Sequence, residues 1–213
     1  MPRHGKPSVV PASPVGAPPA AVTSTMGFPE ISVIIAVRDH EDLIGHQAKA
    51  VASHLRSLGR TFEVIAVNDG SRDNSLPILE LLAARLPELR VVRASAAGRA
   101  YQRGALEANG AILLLVGDPR RMPLAPLGWA LSRIAAGRDA VMLRSRYVVG
   151  RTLAIVPVIA KVPGPGPVFE RVFERLSERR EPRVRLEVVG ARPPARGTTA
   201  RLLDPLLRFL TAS

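Results

Sequence analysis

The chain has 213 residues, of which 46% are hydrophobic and 4% aromatic, with no cysteine and a formal net charge of +12. That length suits one α/β domain with tails and a substantial core. The missing cysteines exclude disulfides and thiolate metal sites, and they fit a reducing, cytoplasmic compartment without requiring one. The charge predicts attraction to polyanions such as nucleotides, lipid headgroups or nucleic acid. Only Lys6, Lys49 and Lys161 are lysines, however, and arginine-rich usage is also what a GC-rich genome writes.

Residues 1–28 are rich in Pro, Ala and Ser and are expected to form a disordered tail. Pro11, Pro14, Pro18 and Pro19 interrupt its apolar stretch, so it does not read as a signal peptide. From Ile31 strand and helix alternate. Ile31–Val37 reads as a strand, and Leu43, Val51, Leu55 and Leu58 recur at helical spacing up to Gly59. A strand at Phe62–Val67 precedes a helix from about Ser75 to Leu86, with Pro77 tolerated in its first turn. Leu89–Arg93 is a third strand, Tyr101–Ala108 a short helix and Ala111–Val116 a fourth strand. A Pro- and Arg-rich loop follows, then a helix at Leu127–Ala136 and a short strand at Ala140–Leu143. Pro163–Pro167 reads as a break, Phe169–Arg180 as a helix and Val184–Val189 as a strand. Short βα units of this kind predict one domain over residues 29–200 built on a doubly wound, mostly parallel sheet. Residues 201–213 form an amphipathic C-terminal segment, expected to pack on the domain or a partner, with a bilayer surface as the alternative. No run approaches the ~18 to 20 apolar residues of a membrane span. His4, His40, His46 and His54 are scattered without metal-ligand spacing, and His46 and His54 read as ordinary residues of one helix.

Two strands break into polar, acidic turns: Ile31–Val37 into Arg38-Asp39-His40-Glu41, and Phe62–Val67 into Asn68-Asp69-Gly70-Ser71-Arg72-Asp73. A parallel sheet binds ligands at this carboxyl edge. Carboxylates there suit hydroxyls, base edges or a metal better than bare phosphate, which points to the nucleoside half of a nucleotide.

On these residues the chain resembles the family-2 glycosyltransferases of GT-A fold, in particular polyprenyl-phosphate (dolichyl-phosphate) sugar transferases. The family's P-V-Y-N-E-E-like turn corresponds to Ala36-Val37-Arg38-Asp39-His40-Glu41, and its D-D-G-S-x-D turn to Asn68–Asp73. Of its glycine-rich third motif Gly98, Ala100 and Gly104 are present, and its G-S-R-Y-x-x-G element reads Arg144-Ser145-Arg146-Tyr147-Val148-Val149-Gly150. A basic element near the end spans Arg192 to Arg196-Gly197-Thr198-Thr199. The resemblance implies that Asp69 accepts N–H groups of a pyrimidine or guanine edge, that Glu41 holds ribose hydroxyls and that Val37 packs on the base. Gly70 would permit the turn, while Ser71 or Asp73 caps the following helix.

The family's D-x-D metal motif should follow the fourth strand, where this chain reads Gly117-Asp118-Pro119. Asp118 alone is a poor ligand set for the Mg2+ or Mn2+ that such enzymes hold against the donor diphosphate. Three explanations stand open. Arginines could replace the metal, with Arg99 and Arg103 before the motif, Arg120 and Arg121 after it, and Arg144 and Arg146 from the later element. Asp118 could suffice, helped by Asp69 and the substrate's phosphates. Or transfer chemistry has been lost and a binding or scaffolding role in envelope-glycan synthesis kept.

If the chain is active, the resemblance implies a UDP- or GDP-sugar donor and a polyprenyl-phosphate or glycan acceptor, with Arg146, Arg192 and Arg196 near the acceptor phosphate. Asp118 is the one weak candidate for a base. The expected location is cytoplasmic, at most peripheral on the inner face of the membrane. Nucleic-acid binding is disfavoured, because few aromatics are available for stacking.

Overall fold

The computed structural model describes residues 27–117, 124–143, 147–162, 168–178 and, by backbone, 186–189. Nearly all of the expected tail, and the segment 201–213, lie outside the described residues. In chain order the elements are β1 (Ile31–Val37), α1 (Ile44–Ser57), β2 (Phe62–Asn68), α2 (Ser75–Ala83), β3 (Leu89–Arg93), α3 (Ala100–Glu107) and β4 (Ile112–Val116). They continue with α4 (Leu127–Ala135), β5 (Ala140–Leu143), β6 (Tyr147–Arg151), α5 (Thr152–Ile159), α6 (Val168–Glu178) and β7 (Leu186–Val189).

The strands form one sheet in the order β3-β2-β1-β4-β6-β5-β7. β1 pairs in parallel with β2 and β4, β2 with β3, and β5 with β7. β6 alone runs antiparallel, between β4 and β5. The expected mostly parallel, doubly wound sheet is therefore present, and its parallel strands deliver their carboxyl ends to one edge.

Alternation along each strand divides the core in two, because successive side chains leave a strand on opposite faces. Ile31, Val33, Ile35 and Val37 of β1 pack with Val51 and Leu55 of α1, Leu79 of α2 and Leu131 of α4. On the other face Ile34, Ile65, Val67, Leu113 and Leu115 meet Ala105 of α3, Ile155 and Val158 of α5, and Val172 and Leu176 of α6. Such fully buried aliphatic side chains each contribute about 1.5–3 kcal/mol relative to exposure. A Cβ at Gly104 would collide with the side chain of Ile34, so α3 seats on β1 and β2 through bare backbone.

Two elements differ from expectation. Tyr147–Gly150, read as part of a binding loop, belongs to strand β6, with Tyr147 paired to Val116 and Leu143. Helix α5 was not anticipated, because Thr-Leu-Ala-Ile-Val-Pro-Val-Ile offers no alternation of apolar and polar positions and carries Pro157 inside it.

Candidate functional site

The loops after β1 and β2 are laced together by side chains accepting from backbone donors. Asp39 Oδ1 accepts the Arg72 N–H at 2.7 Å, and Glu41 Oε2 accepts the Asn74 N–H at 2.8 Å. In return Asp73 accepts the Glu41 N–H with Oδ2 and the Ser75 N–H with Oδ1, both at 2.9 Å. Ser71 Oγ accepts the Asp39 N–H at 3.2 Å, and Ser75 Oγ accepts the His40 N–H at 2.9 Å. Asn68, buried at the end of β2, closes its turn by accepting the Ser71 N–H on Oδ1. The lacing satisfies orphan donors at the start of α2, which a helix leaves unpaired. It also holds Asp39 at φ 54, a left-handed conformation costing a non-glycine residue roughly 1–2 kcal/mol.

Asp69 projects from this frame. Its N–H donates to the Val37 carbonyl at 2.8 Å, and both carboxylate oxygens accept the Gly98 N–H at 2.9 Å. Gly70 and Gly98 have φ of 80 and 76, so each turn needs the freedom glycine provides. The half-buried carboxylate of Asp69 is thereby oriented from below while its rim remains open to solvent.

The expected nucleotide-binding residues Val37, Glu41, Asp69, Gly70 and Arg99 thus fall on one edge. Their roles divide differently from expectation. Val37 has 0% exposure, and its side chain belongs to the core, so it supports the site through its carbonyl rather than by packing on a base. Glu41 is exposed and commits one oxygen to Asn74. Asp73 caps α2, and Ser71 bridges the two loops instead. Desolvation raises the Asp73 pKa, but hydrogen bonds from the Ser75 hydroxyl and from the Ser75 and Glu41 backbone outweigh it and hold the carboxyl below its ordinary value. Sequence reasoning missed Asp39, Ser75 and the Gly98 amide; the acids spaced two apart, Asp39 and Glu41, were the signal for the first.

Arg38, Arg72 and Arg99 are exposed at this edge, and among the described residues no carboxylate pairs with them. Arg103, considered with Arg99 as a metal substitute, instead pairs with Glu107 at 2.6 Å. Tyr147 is fully buried in the core, and burial pushes its phenol pKa up. Asp118, Arg120, Arg121, Arg144, Arg146, Arg192 and Arg196 lie outside the described residues. Among those described, no three His, Cys, Asp or Glu side chains converge as a metal ion requires. The carboxylates of Asp39, Glu41, Asp69 and Asp73 each accept backbone N–H groups. No helix among the described residues is long and apolar enough to cross a membrane.

Residues 32–119 match the model of Glycosyl transferase family 2. Beta-monoglucosyldiacylglycerol synthase of Synechocystis is 34% identical over 97 residues, which are 45% of this chain and 20% of that protein. Undecaprenyl-phosphate 4-deoxy-4-formamido-L-arabinose transferase of Pseudomonas paraeruginosa is 40% identical over 55 residues, covering 26% and 16%. The chain therefore spans a fifth or less of these curated relatives. Among solved structures, the mannosyltransferase PcManGT of Pyrobaculum calidifontis, in complex with GDP-Man and Mn2+, superposes with a TM-score of 0.60 at 15% identity, over 81% of this chain and 59% of that one. S. aureus TarS 1–349 gives 0.58 at 15% identity, over 76% and 58%. The chain has the GT-A fold of nucleotide-sugar transferases, and through residues 32–119 it matches glycosyl transferase family 2.

Proposed function

We propose that this chain is a nucleotide-sugar-dependent glycosyltransferase that transfers a hexosyl unit from a UDP- or GDP-sugar to a lipid-borne acceptor, a polyprenyl phosphate in the first instance. The observation that carries the reading is Asp69, an acceptor-only carboxylate fixed at the carboxyl edge by the Gly98 amide, with Arg38, Arg72 and Arg99, which form no ion pair among the described residues, on the same edge. A base edge carrying N–H donors fits the first, and a diphosphate fits the second. The two relatives, one a diacylglycerol glycoside synthase and the other an undecaprenyl-phosphate sugar transferase, support a lipid acceptor.

In the reaction, an acceptor phosphate oxygen attacks the anomeric carbon as the bond from that carbon to the nucleoside diphosphate breaks. The bonding electron pair leaves on the diphosphate. The nucleophile is already anionic, so no general base is needed. The charge on the leaving group would be met by guanidinium forks, Arg99 with Arg120, Arg121 and Arg144, while Arg146, Arg192 and Arg196 would serve the acceptor phosphate. A divalent ion is the family's usual means of neutralising that charge; Asp118, the acid at the corresponding position, would be its ligand here, and no step passes through it.

Gly117-Asp118-Pro119 in place of the family's D-x-D supports a second reading, a catalytically degenerate domain that binds a partner in envelope-glycan synthesis. Incubating the full chain with UDP-glucose or GDP-mannose and undecaprenyl phosphate, in Mn2+ and separately in EDTA, discriminates the two. Release of UDP or GDP that requires the acceptor supports transfer. Release persisting in EDTA and lost in Arg120→Ala/Arg121→Ala supports charge neutralisation by arginine. Nucleotide binding without any release supports the degenerate domain.

A further inference from the structure

The entry to α3 is tied down on both sides, and the two ties come from different strands. Before the helix, the Gly98 N–H donates to both carboxylate oxygens of Asp69, the residue just past β2. In its first turn, the Tyr101 hydroxyl donates to the carbonyl of Val116, the last residue of β4, at 2.5 Å. β1 lies between these two strands in the sheet. Neighbouring strands sit about 4.8 Å apart, so the ties span roughly 10 Å of the carboxyl edge. Arg99 stands between them. Its N–H donates to the Ala96 carbonyl and its own carbonyl accepts the Arg103 N–H. Its side chain is exposed and forms no ion pair among the described residues.

We propose that Tyr101 is a positioning residue whose hydroxyl sets Arg99 for the donor diphosphate. The inference rests on the nucleotide-sugar reading above and adds to that site a residue outside its motifs. No side chain caps α3, and Gly98, at φ 76, gives the chain freedom just before it. The angle of the first turn to the sheet edge therefore depends on its ties. A donor whose base edge meets Asp69 presents its diphosphate to Arg99 only while that angle holds. Asp69 fixes one side of it and the Tyr101 hydroxyl fixes the other. Packing alone does not call for the hydroxyl. The half-buried Tyr101 ring already meets Phe169 of α6 edge to face, with centroids 5.3 Å apart, a contact that phenylalanine would make equally well.

The test is calorimetric titration of UDP, GDP, uridine and guanosine into the full chain, with Tyr101→Phe, Arg99→Ala and their double variant. Tyr101→Phe keeps the ring on Phe169 and should retain wild-type circular dichroism. For whichever nucleoside diphosphate the wild type binds, it should lose about fivefold in affinity, the scale of one hydrogen bond. Its affinity for the matching nucleoside should stay within about twofold. Arg99→Ala should lose about tenfold or more. The double variant should stay within about twofold of Arg99→Ala, because Tyr101 then has nothing left to position. Phe169→Leu removes the ring contact and leaves the hydroxyl; it should lower the urea midpoint and keep diphosphate affinity within about twofold. Unchanged affinity in Tyr101→Phe would overturn the proposal and leave the transferase reading standing. So would losses that multiply in the double variant, an equal loss for nucleoside and diphosphate, or a matching loss in Phe169→Leu, each of which makes Tyr101 a residue of the fold alone. Failure of both UDP and GDP to bind the wild type would overturn the transferase reading and this inference together.

Discussion

The two edges of the sheet use charge in opposite ways. At the amino edge Glu63 sits 8% exposed, accepting the Ser32 hydroxyl at 2.6 Å, the Asn109 N–H at 2.8 Å and the Arg90 guanidinium at 3.0 Å. Arg90 also reaches Glu107, which holds Arg103, and Ser32 Oγ in turn accepts the Gly110 N–H. Acid and base are spent on each other there. At the carboxyl edge the acids Asp39, Glu41, Asp69 and Asp73 are spent on backbone N–H groups, while among the described residues the guanidinium groups of Arg38, Arg72 and Arg99 form no ion pair. A closed network stabilises; an open one retains cationic capacity for a ligand. The same residue types therefore serve the fold at one end and, in the proposed function, recognition at the other.

If that contrast is right, Glu63→Ala should have the largest effect on stability. It strands the Asn109 N–H, the Ser32 hydroxyl and one side of Arg90, and breaking a buried pair costs about 3–5 kcal/mol. Because Arg90 is 40% exposed, about 2–3 kcal/mol is expected from urea unfolding, with UDP or GDP affinity within about twofold of wild type. Asp69→Ala should reverse the pattern. Removal of a charge-assisted acceptor from a base edge costs about 1.5–3 kcal/mol, more than tenfold in Kd, whereas stability should fall by about 1 kcal/mol through the Gly98 amide.

Acid should weaken the fold from both edges. Desolvation raises the Glu63 pKa, but hydrogen bonds from Ser32, Asn109 and Arg90, with the Arg90 charge, hold it below its ordinary value of 4.5. Asp73 is held below its ordinary 3.8. A depressed carboxyl contributes stability that is fully present above its unfolded pKa and is lost as pH falls through the folded one. The urea midpoint should therefore be flat from pH 7 to about 5 and fall below that, and Glu63→Gln should flatten the fall. The smallest change should come from Asp39→Gly, where relief of the φ 54 strain offsets the lost acceptor for Arg72. A net effect within about 1 kcal/mol is expected in unfolding.

Much of this was legible in the residues. β1, β3 and β5 run over the residues expected, because apolar runs of strand length end at turn chemistry that announces itself. The acidic turns marked the carboxyl edge, and the order of motifs indicated the GT-A fold. What could not be read was pairing across sequence distance. Glu63 within Phe-Glu-Val-Ile-Ala-Val looks like an outward polar residue, and only the β1–β2 register setting it opposite Ser32 reveals a buried anchor. Gly98 gives no side-chain sign that its amide will orient Asp69. Val37 looked like a base platform because a turn motif does not say which face a strand residue takes. β6 and α5 were hidden because Val148-Val149-Gly150 is short and α5 has no polar face to set a period.

The central claim, that the carboxyl edge is a nucleotide site oriented by Asp69, is tested most directly by calorimetric titration of UDP and GDP into the wild type and Asp69→Ala, each with Mn2+ and with EDTA. The account predicts that one of the two nucleotides binds the wild type and that Asp69→Ala loses at least tenfold in affinity while remaining folded. Failure of both nucleotides to bind under either condition, or equal binding by the variant, would contradict it.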